Sequence, residues 1–354
     1  MRKRRREEVK DTNVLLSVRE LEKYFPLRKK SLFQKERPYL RANDGISLDI
    51  YKGETYGLVG ESGCGKSTFG RTILQLQKPT KGRVTYFGLG DEVELTTLKG
   101  GKMRALRKDL QIIFQDPYSS LDPRMTVGQL IEEGVATHRF FKRGSKEMRG
   151  YVLKMMEACG LRADMLHRYP HQFSGGQRQR ISIARALAVK PKFVVCDECV
   201  SALDVSVQSH ILNLLSDLKE REGLTYLFIS HDLSVVRYIS DRIGVMYLGK
   251  IVEQGKAEEV FENPRHPYTI ALISAIPALT GEKGKQILLD GYMPSPVSPP
   301  QGCPFHTRCF MAEKVCQRIP APIVEVENGH FAACHFANVS TAEKRKIATR
   351  TGEN

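Results

Sequence analysis

The sequence predicts an α/β fold with a helical subdomain and a small C-terminal extension that contains cysteines. Three observations carry that prediction. A strand-like run leads into a glycine-rich turn that opens a helix near Lys66, and three short apolar runs have the composition of strands covered on both faces. Four of the eight cysteines gather behind a proline-rich stretch near the end of the chain.

Taken in order, residues 46–50 alternate apolar and polar as a half-buried strand does, and Thr55–Val59 reads as a second strand entering the glycine-rich turn. Residues 110–114, 193–196 and 224–229 are the apolar runs. Between the first two of these, residues 125–180 show helical patterning, as at 127–136 and 151–159, and no convincing strand; they are expected to form a helical insertion. Residues 204–221 predict a long amphipathic helix with Ile211, Leu212, Leu215 and Leu218 on one face and Asp204 as its cap. After Phe261 the texture changes, and Pro294, Pro296, Pro299 and Pro300 stiffen a linker into the cysteine-bearing segment. No repeat of solenoid period is visible.

At 354 residues, with 41% hydrophobic and 27% charged residues, the chain has room for two or three units and the composition of an ordinary globular protein. A net charge of +15 favours anionic partners. Part of it sits in Arg2-Lys3-Arg4-Arg5-Arg6 and in residues 23–41, which hold seven basic residues and one acidic. Neither block alternates basic and aromatic residues as a single-strand nucleic-acid platform does, so both read as solvated tail or loop. The longest apolar stretch, 268–279, is too short and too interrupted to cross a bilayer, and the N-terminus lacks the apolar segment of a secretory signal. These features predict a cytoplasmic address, where cysteines stay reduced or bind metal.

Gly60-Glu61-Ser62-Gly63-Cys64-Gly65-Lys66-Ser67-Thr68 fits G-x-x-x-x-G-K-[ST] between a strand and a helix, the context of a P-loop. Its glycines let backbone N–H groups turn toward phosphate oxygens, and the helix end behind them adds about half a positive charge. Lys66 is expected to bridge the β- and γ-phosphates and Ser67 to hold Mg²⁺. The apolar run ending in Asp197-Glu198 places two carboxylates at a sheet rim. There Asp197 would orient Mg²⁺ and Glu198 would polarise the attacking water. Ser174-Gly175-Gly176-Gln177, before a helix rich in arginine, reads as a second helix N-terminus facing an anion or as a simple cap.

Phe173-Ser174-Gly175-Gly176-Gln177, followed past the Asp197 strand by Ser201-Ala202-Leu203-Asp204, resembles the signature motif and D-loop of ATP-binding-cassette ATPases. The resemblance implies a P-loop NTPase fold of the ABC nucleotide-binding type. It casts Gln115 as the Q-loop residue on Mg²⁺, His231 as the switch histidine at the γ-phosphate, and Phe25, with Tyr24 as the alternative, as the aromatic stacking on adenine. Tyr169-Pro170-His171-Gln172-Phe173, Asn263-Pro264-Arg265-His266-Pro267-Tyr268-Thr269 and the cysteine-bearing tail resemble ATP-binding subunits of bacterial oligopeptide/dipeptide importers, in particular the F-type partner. On this reading residues 1–13 are a flexible basic tail and 14–262 an ABC ATPase domain. Residues 263–337 are then the transporter-type C-terminal domain and 338–354 a polar tail. Cys199 departs from the family, which usually has Pro after the catalytic Glu, and a less rigid turn is expected there.

Cys303, Cys309, Cys316 and Cys334 are separated by five, six and seventeen residues, which fits neither a zinc ribbon nor a common ferredoxin run. The residues leave an iron–sulfur cluster, zinc and structural thiols open, with His306, His330 and His335 near enough in sequence to complete a zinc site. The resemblance implies a [4Fe–4S] cluster. Cys64, Cys159, Cys196 and Cys199 are scattered and read as buried or loop thiols.

The resemblance further implies a subunit that binds and hydrolyses ATP with Mg²⁺ to drive solute import, most plausibly of oligopeptides or dipeptides. It would pair face to face with a second, D-type ATPase and serve two membrane permeases at the cytoplasmic face of the membrane, with an extracytoplasmic solute-binding protein engaged indirectly. No nucleic acid is expected. The competing reading is a soluble ABC ATPase acting on nucleic acid or iron–sulfur assembly, supported by the positive charge and the cysteines. It is weakened by the single cassette and the absence of a heptad array. A third reading, compatible with the first, makes the cysteine tail a redox sensor.

Overall fold

Strands with no polar face need cover on both sides, and the fold supplies it. The computed structural model describes residues 13–28, 37–276 and 286–351. Its strands are β1 (Val14–Pro26), β2 (Tyr39–Tyr51), β3 (Thr55–Val59), β4 (Lys81–Tyr86), β5 (Val93–Glu94) and β6 (Leu110–Ile113). They continue with β7 (Phe193–Asp197), β8 (Thr225–Ile229), β9 (Arg242–Tyr247), β10 (Lys250–Lys256), β11 (Ile323–Glu327) and β12 (His330–Ala333).

The main sheet has the order β11-β12-β10-β9-β3-β8-β7-β6, parallel from β9 to β6 and antiparallel beyond. β3, β7 and β8 are buried at every residue. Their side chains alternate between two cores: Val194, Cys196, Tyr226 and Phe228 enter one, and Phe193, Val195, Leu227 and Ile229 the other. A smaller antiparallel sheet, β2-β1-β4-β5, closes the second core.

Helix α1 (Lys66–Ile73) follows β3, and α2 (Gly100–Leu106) precedes β6. Between β6 and β7 lie α3 (Pro117–Ser120), α4 (Val127–Thr137), α5 (Lys146–Ala158) and α6 (Gly175–Leu187), with no strand among them, as the patterning predicts. Capping boxes start α4 at Thr126 and α6 at Ser174. The predicted helix after the D-loop is α7 (Val205–Glu222), with Asp204 capping it through Val207 N–H. Next come α8 (Leu233–Ile239), α9 (Ala257–Glu262), α10 (Pro267–Ser274) and α11 (Lys314–Arg318).

The last described element is α12 (Thr341–Thr351), within the segment expected to be a polar tail. Lys344 explains the difference: its side chain is fully buried, and Nζ donates to the carbonyl of Arg265, so a residue that looks solvent-facing in the sequence anchors a docked helix. The linker prolines also do more than space the chain, since Arg41 N–H donates to Pro296 O at 3.1 Å. Residues 1–12 of the basic tail and 29–36 of the basic block lie outside the described residues, as do 277–285. Among the described residues no helix is long and apolar enough to cross a membrane.

Candidate nucleotide site

Parallel pairing puts the C-terminal ends of β3, β7 and β8 in one row, and the P-loop, Glu198 and His231 follow those three strands. Two glycines make the loop's path possible. At Gly60 (φ 152°) a Cβ would stand 2.2 Å from Met246 O, and at Gly65 (φ 107°) 2.0 Å from Ala42 O. Asn43 on β2 is buried and donates to Gly65 O at 3.1 Å, fixing the loop from the small sheet.

Lys66 is 4% exposed and folds back, with Nζ donating to Gly60 O at 2.7 Å and Glu61 O at 3.1 Å. Ser67 Oγ donates to Asp197 Oδ1 at 2.6 Å, across 130 residues of chain. Asp197 is 1% exposed and also meets Arg71 at 3.3 Å. The hydroxyl and carboxylate expected to share Mg²⁺ are thus in contact, and this hard oxygen donor set fits that ion. Gln115 Nε2 donates to Glu198 Oε2 at 2.9 Å, and His231 Nδ1 lies 3.4 Å from the same oxygen.

Glu198 sits in left-handed backbone (φ 49°), an uncommon place for a residue with a Cβ. Its N–H donates to Ile229 O at 3.0 Å, and Ser201 Oγ donates to its carbonyl at 2.9 Å. Cys199, in the place of the usual Pro, is buried beside Cys196, whose thiol is pushed up by the hydrogen bond with Cys199 and by burial.

One pocket collects Phe25, Ser62, Gly63, Gly65, Lys66, Ser67, Thr68, Gln115 and Glu198. Of the two aromatics, Phe25 borders it, while the Tyr24 hydroxyl is engaged by Asp44 and its ionisation is pushed up by burial and that bond. The signature residues Ser174, Gly175, Gly176 and Gln177 and the D-loop Asp204 do not border it. The start of α6 packs on α7 instead: a Cβ on Gly176 would stand 2.4 Å from Val207 Cγ1. Arg41, Leu248 and Pro296 also line the pocket, and no motif announces them as site residues.

In the extension, Cys303, Cys309, Cys316 and Cys334 line one small pocket together with His266, His306 and His335. Burial pushes the thiol of Cys303 up to about 11, that of Cys309 up to about 12, and that of Cys334 up as well. Among the described residues, however, no three His, Cys, Asp or Glu side chains stand in an arrangement that could hold a metal ion. His330 is not part of this group. It is fully buried against Glu253, with Nε2 2.8 Å from Oε1. His306 and His335 spend one nitrogen each on the carbonyls of Cys303 and Ile319. The other four cysteines, Cys64, Cys159, Cys196 and Cys199, are buried thiols, as expected.

A P-loop opening onto a carboxylate pair at the end of a parallel sheet, with a helical layer inserted before the strand that carries the pair, defines an ATP-binding-cassette ATPase. Residues 43–201 match the model of the ABC transporter family, and residues 252–316 that of the oligopeptide/dipeptide transporter C-terminal region. The chain is 48% identical to the oligopeptide transport ATP-binding protein AppF of Bacillus subtilis, over 91% of this chain and 97% of the relative. It is 49% identical to OppF of Escherichia coli (91% and 96%) and 47% identical to the dipeptide transport ATP-binding protein DppF of Haemophilus influenzae (92% and 98%). Among solved structures, the dimeric post-hydrolysis ATP-binding cassette MJ0796 bound to ADP and Pi is 28% identical with a TM-score of 0.60, covering 69% of this chain and 99% of that one. The chain belongs to the family of oligopeptide/dipeptide ABC transporter ATP-binding proteins, whose members are ATPases that power transport.

Proposed function

We propose that this chain hydrolyses ATP to drive import of oligopeptides or dipeptides through membrane permeases, working face to face with a second, D-type ATPase subunit. One observation carries the reading: Ser67–Asp197 and Gln115–Glu198 are joined by hydrogen bonds at the P-loop pocket, whereas Ser174–Gln177 and Asp204 stand away from it. One chain therefore makes half of a site, and its signature end serves the nucleotide of the other subunit.

In that site Phe25 stacks on adenine, Lys66 spans the β- and γ-phosphates, and the loop N–H groups of residues 60–68 cradle the phosphate oxygens. Ser67, Gln115 and Asp197 would hold Mg²⁺, which would supply charge neutralisation on the phosphates. Glu198 takes a proton from water as its oxygen attacks the γ-phosphorus. The bond to the bridging oxygen breaks, and ADP leaves. His231 faces the γ-phosphate beside Glu198.

Closure on ATP and parting after hydrolysis give the stroke. It passes to the permeases at the cleft beside Gln115, where α3 exposes Tyr118, with the chain working at the cytoplasmic face of the membrane. Relatives named for peptide transport favour this reading over action on nucleic acid or iron–sulfur assembly.

The four extension cysteines would hold a [4Fe–4S] cluster, with zinc the competing occupant, once their side chains draw together from the arrangement described above, in which no three of them are placed to hold a metal ion. The support is their convergence on one buried pocket and the preference of both metals for thiolate. Iron and acid-labile sulfide per chain after anaerobic purification, against zinc content, decides between them.

The transport reading is tested by reconstituting the chain with its partner ATPase and permeases in vesicles. ATP hydrolysis should rise when peptide-loaded binding protein is supplied. Hydrolysis indifferent to peptide and raised by RNA or DNA would overturn it.

A further inference from the structure

Two side chains of the C-terminal extension grip the P-loop from outside it. Arg308 forks onto Glu61, Nη1 to Oε2 at 2.9 Å and Nη2 to Oε1 at 3.1 Å, and its side chain is 8% exposed. Tyr268 on α10 accepts the Glu61 N–H on its hydroxyl at 2.9 Å. Glu61 is the second residue of the loop, and its carbonyl is one of the two that hold Lys66. The extension thus fixes the side chain and the N–H of a residue whose carbonyl parks the phosphate-binding lysine.

The base of this grip is stiff. Tyr247 of β9, Tyr268 and Phe305 form a ring cluster with centroids 4.7, 5.2 and 5.4 Å apart, and the Arg308 guanidinium lies 6.0 Å from the Tyr247 ring centre. Arg308 N–H donates to Phe305 O at 3.0 Å, which ties the fork to that cluster. Cys309 follows directly, so the same short turn carries one wall of the cysteine pocket and the brace on the P-loop. A bidentate guanidinium–carboxylate pair constrains direction as well as distance. A loop that binds phosphate through backbone N–H groups loses affinity when it must first be ordered.

We propose that Arg308 is a positioning residue for nucleotide binding, keeping the P-loop backbone ordered through Glu61 so that phosphate meets a preformed loop when it draws Lys66 off the carbonyls. The proposal rests on the ATP-site reading above, and the wild-type chain separates the two: if it fails to bind MgATP, that reading fails, not this one. The experiment titrates the full-length chain with MgATP by calorimetry and measures ATP hydrolysis in the assembled transporter. Arg308→Gln and Glu61→Gln should each weaken binding about five- to tenfold, and Arg308→Lys should fall between them and wild type. The double variant should bind no more weakly than the weaker single. In the transporter Arg308→Gln should raise KM for ATP and leave kcat within about twofold.

A role confined to stability would lower the melting temperature and leave the nucleotide Kd unchanged, which overturns the proposal. Additive losses in the double variant, or a fall in kcat with KM unchanged, overturn it equally. Should Arg308→Gln fail to fold, Glu61→Gln carries the same prediction from the less buried side of the pair.

Discussion

Replacing Glu198 with Gln keeps the shape of the side chain and removes its ability to take a proton. The carboxylate is 14% exposed, accepts from Gln115 at 2.9 Å and faces His231 at 3.4 Å. An amide can meet both neighbours, and it suits the same backbone, held by Ile229 O and Ser201 Oγ. Stability should therefore move by less than about 0.5 kcal/mol. A positioned general base contributes about 10²–10⁴-fold, so the barrier should rise by roughly 3–5 kcal/mol. Single-turnover hydrolysis with this chain and its partner ATPase together in excess over radiolabelled ATP, the partner's own catalytic carboxylate replaced by an amide, reads this chain's site. The expected result is at least a hundredfold slower phosphate release, with MgATP retained in a dimer on gel filtration. Hydrolysis within about tenfold of wild type, with nucleotide bound, would refute Glu198 as the base and leave Asp197 or a water chain to be explained.

The remaining expectations concern the scaffold. Phe305→Ala empties a position 1% exposed and packed on three rings, so urea unfolding should show a loss of about 3–5 kcal/mol; a loss under about 1 kcal/mol would mean that the extension is not part of the cassette core. Gly65→Ala sets a Cβ against Ala42 O at a left-handed φ, a strain of about 1–3 kcal/mol, and MgATP affinity should fall at least tenfold; an unchanged Kd would contradict the loop geometry. His266 is fully buried, and burial, reinforced by nearby Lys344, pushes it down to about 3. Because its folded value lies below the unfolded one, its stabilising contribution is complete above about pH 6.5 and is lost as pH falls toward 3. His266→Asn keeps an acceptor for the Tyr268 N–H and cannot protonate, so between pH 7.5 and 5 wild type should lose about 2 kcal/mol more than the variant; parallel pH profiles would contradict this.

What could be read from the sequence was what local chemistry decides alone. β7 and β8 are apolar at most consecutive positions because both faces are covered, Asp204 answers the N–H of Val207 three residues on, and Gly60 and Gly65 stand in left-handed backbone within a recognisable motif. β1 escaped because register shifts at several points break its alternation, and charged Arg19, Glu20, Glu22 and Lys23 fill its exposed side. β12 escaped for another reason: it exists by pairing with β10, as Glu253↔Ala332, and its own four residues carry no signal. The same limit applies at the site. Ser67 and Asp197 were readable as partners through motif chemistry, whereas Arg308 and Glu61 meet across 247 residues with nothing local to announce them.

Charge explains why the two halves of the machinery are kept apart within one chain. Among the side chains bordering the P-loop pocket, Arg41 and Lys66 are cationic and Glu198 anionic, and Lys66 stays bound to two carbonyls until phosphate displaces them. A triphosphate therefore remains under-neutralised in one chain, even with a divalent ion. The α6 N-terminus, with about half a positive charge, is the natural complement. It cannot swing over, because Gly176 is packed tightly on Val207 and Ser174 is committed to its capping box. On the proposed reading the missing charge arrives on the equivalent helix of a second subunit, and bound ATP becomes part of the contact between the two. Removing the γ-phosphate then weakens the contact by removing the charge that called for it, so the stroke follows from electrostatics at a fixed helix end and needs no rearrangement inside the sheet.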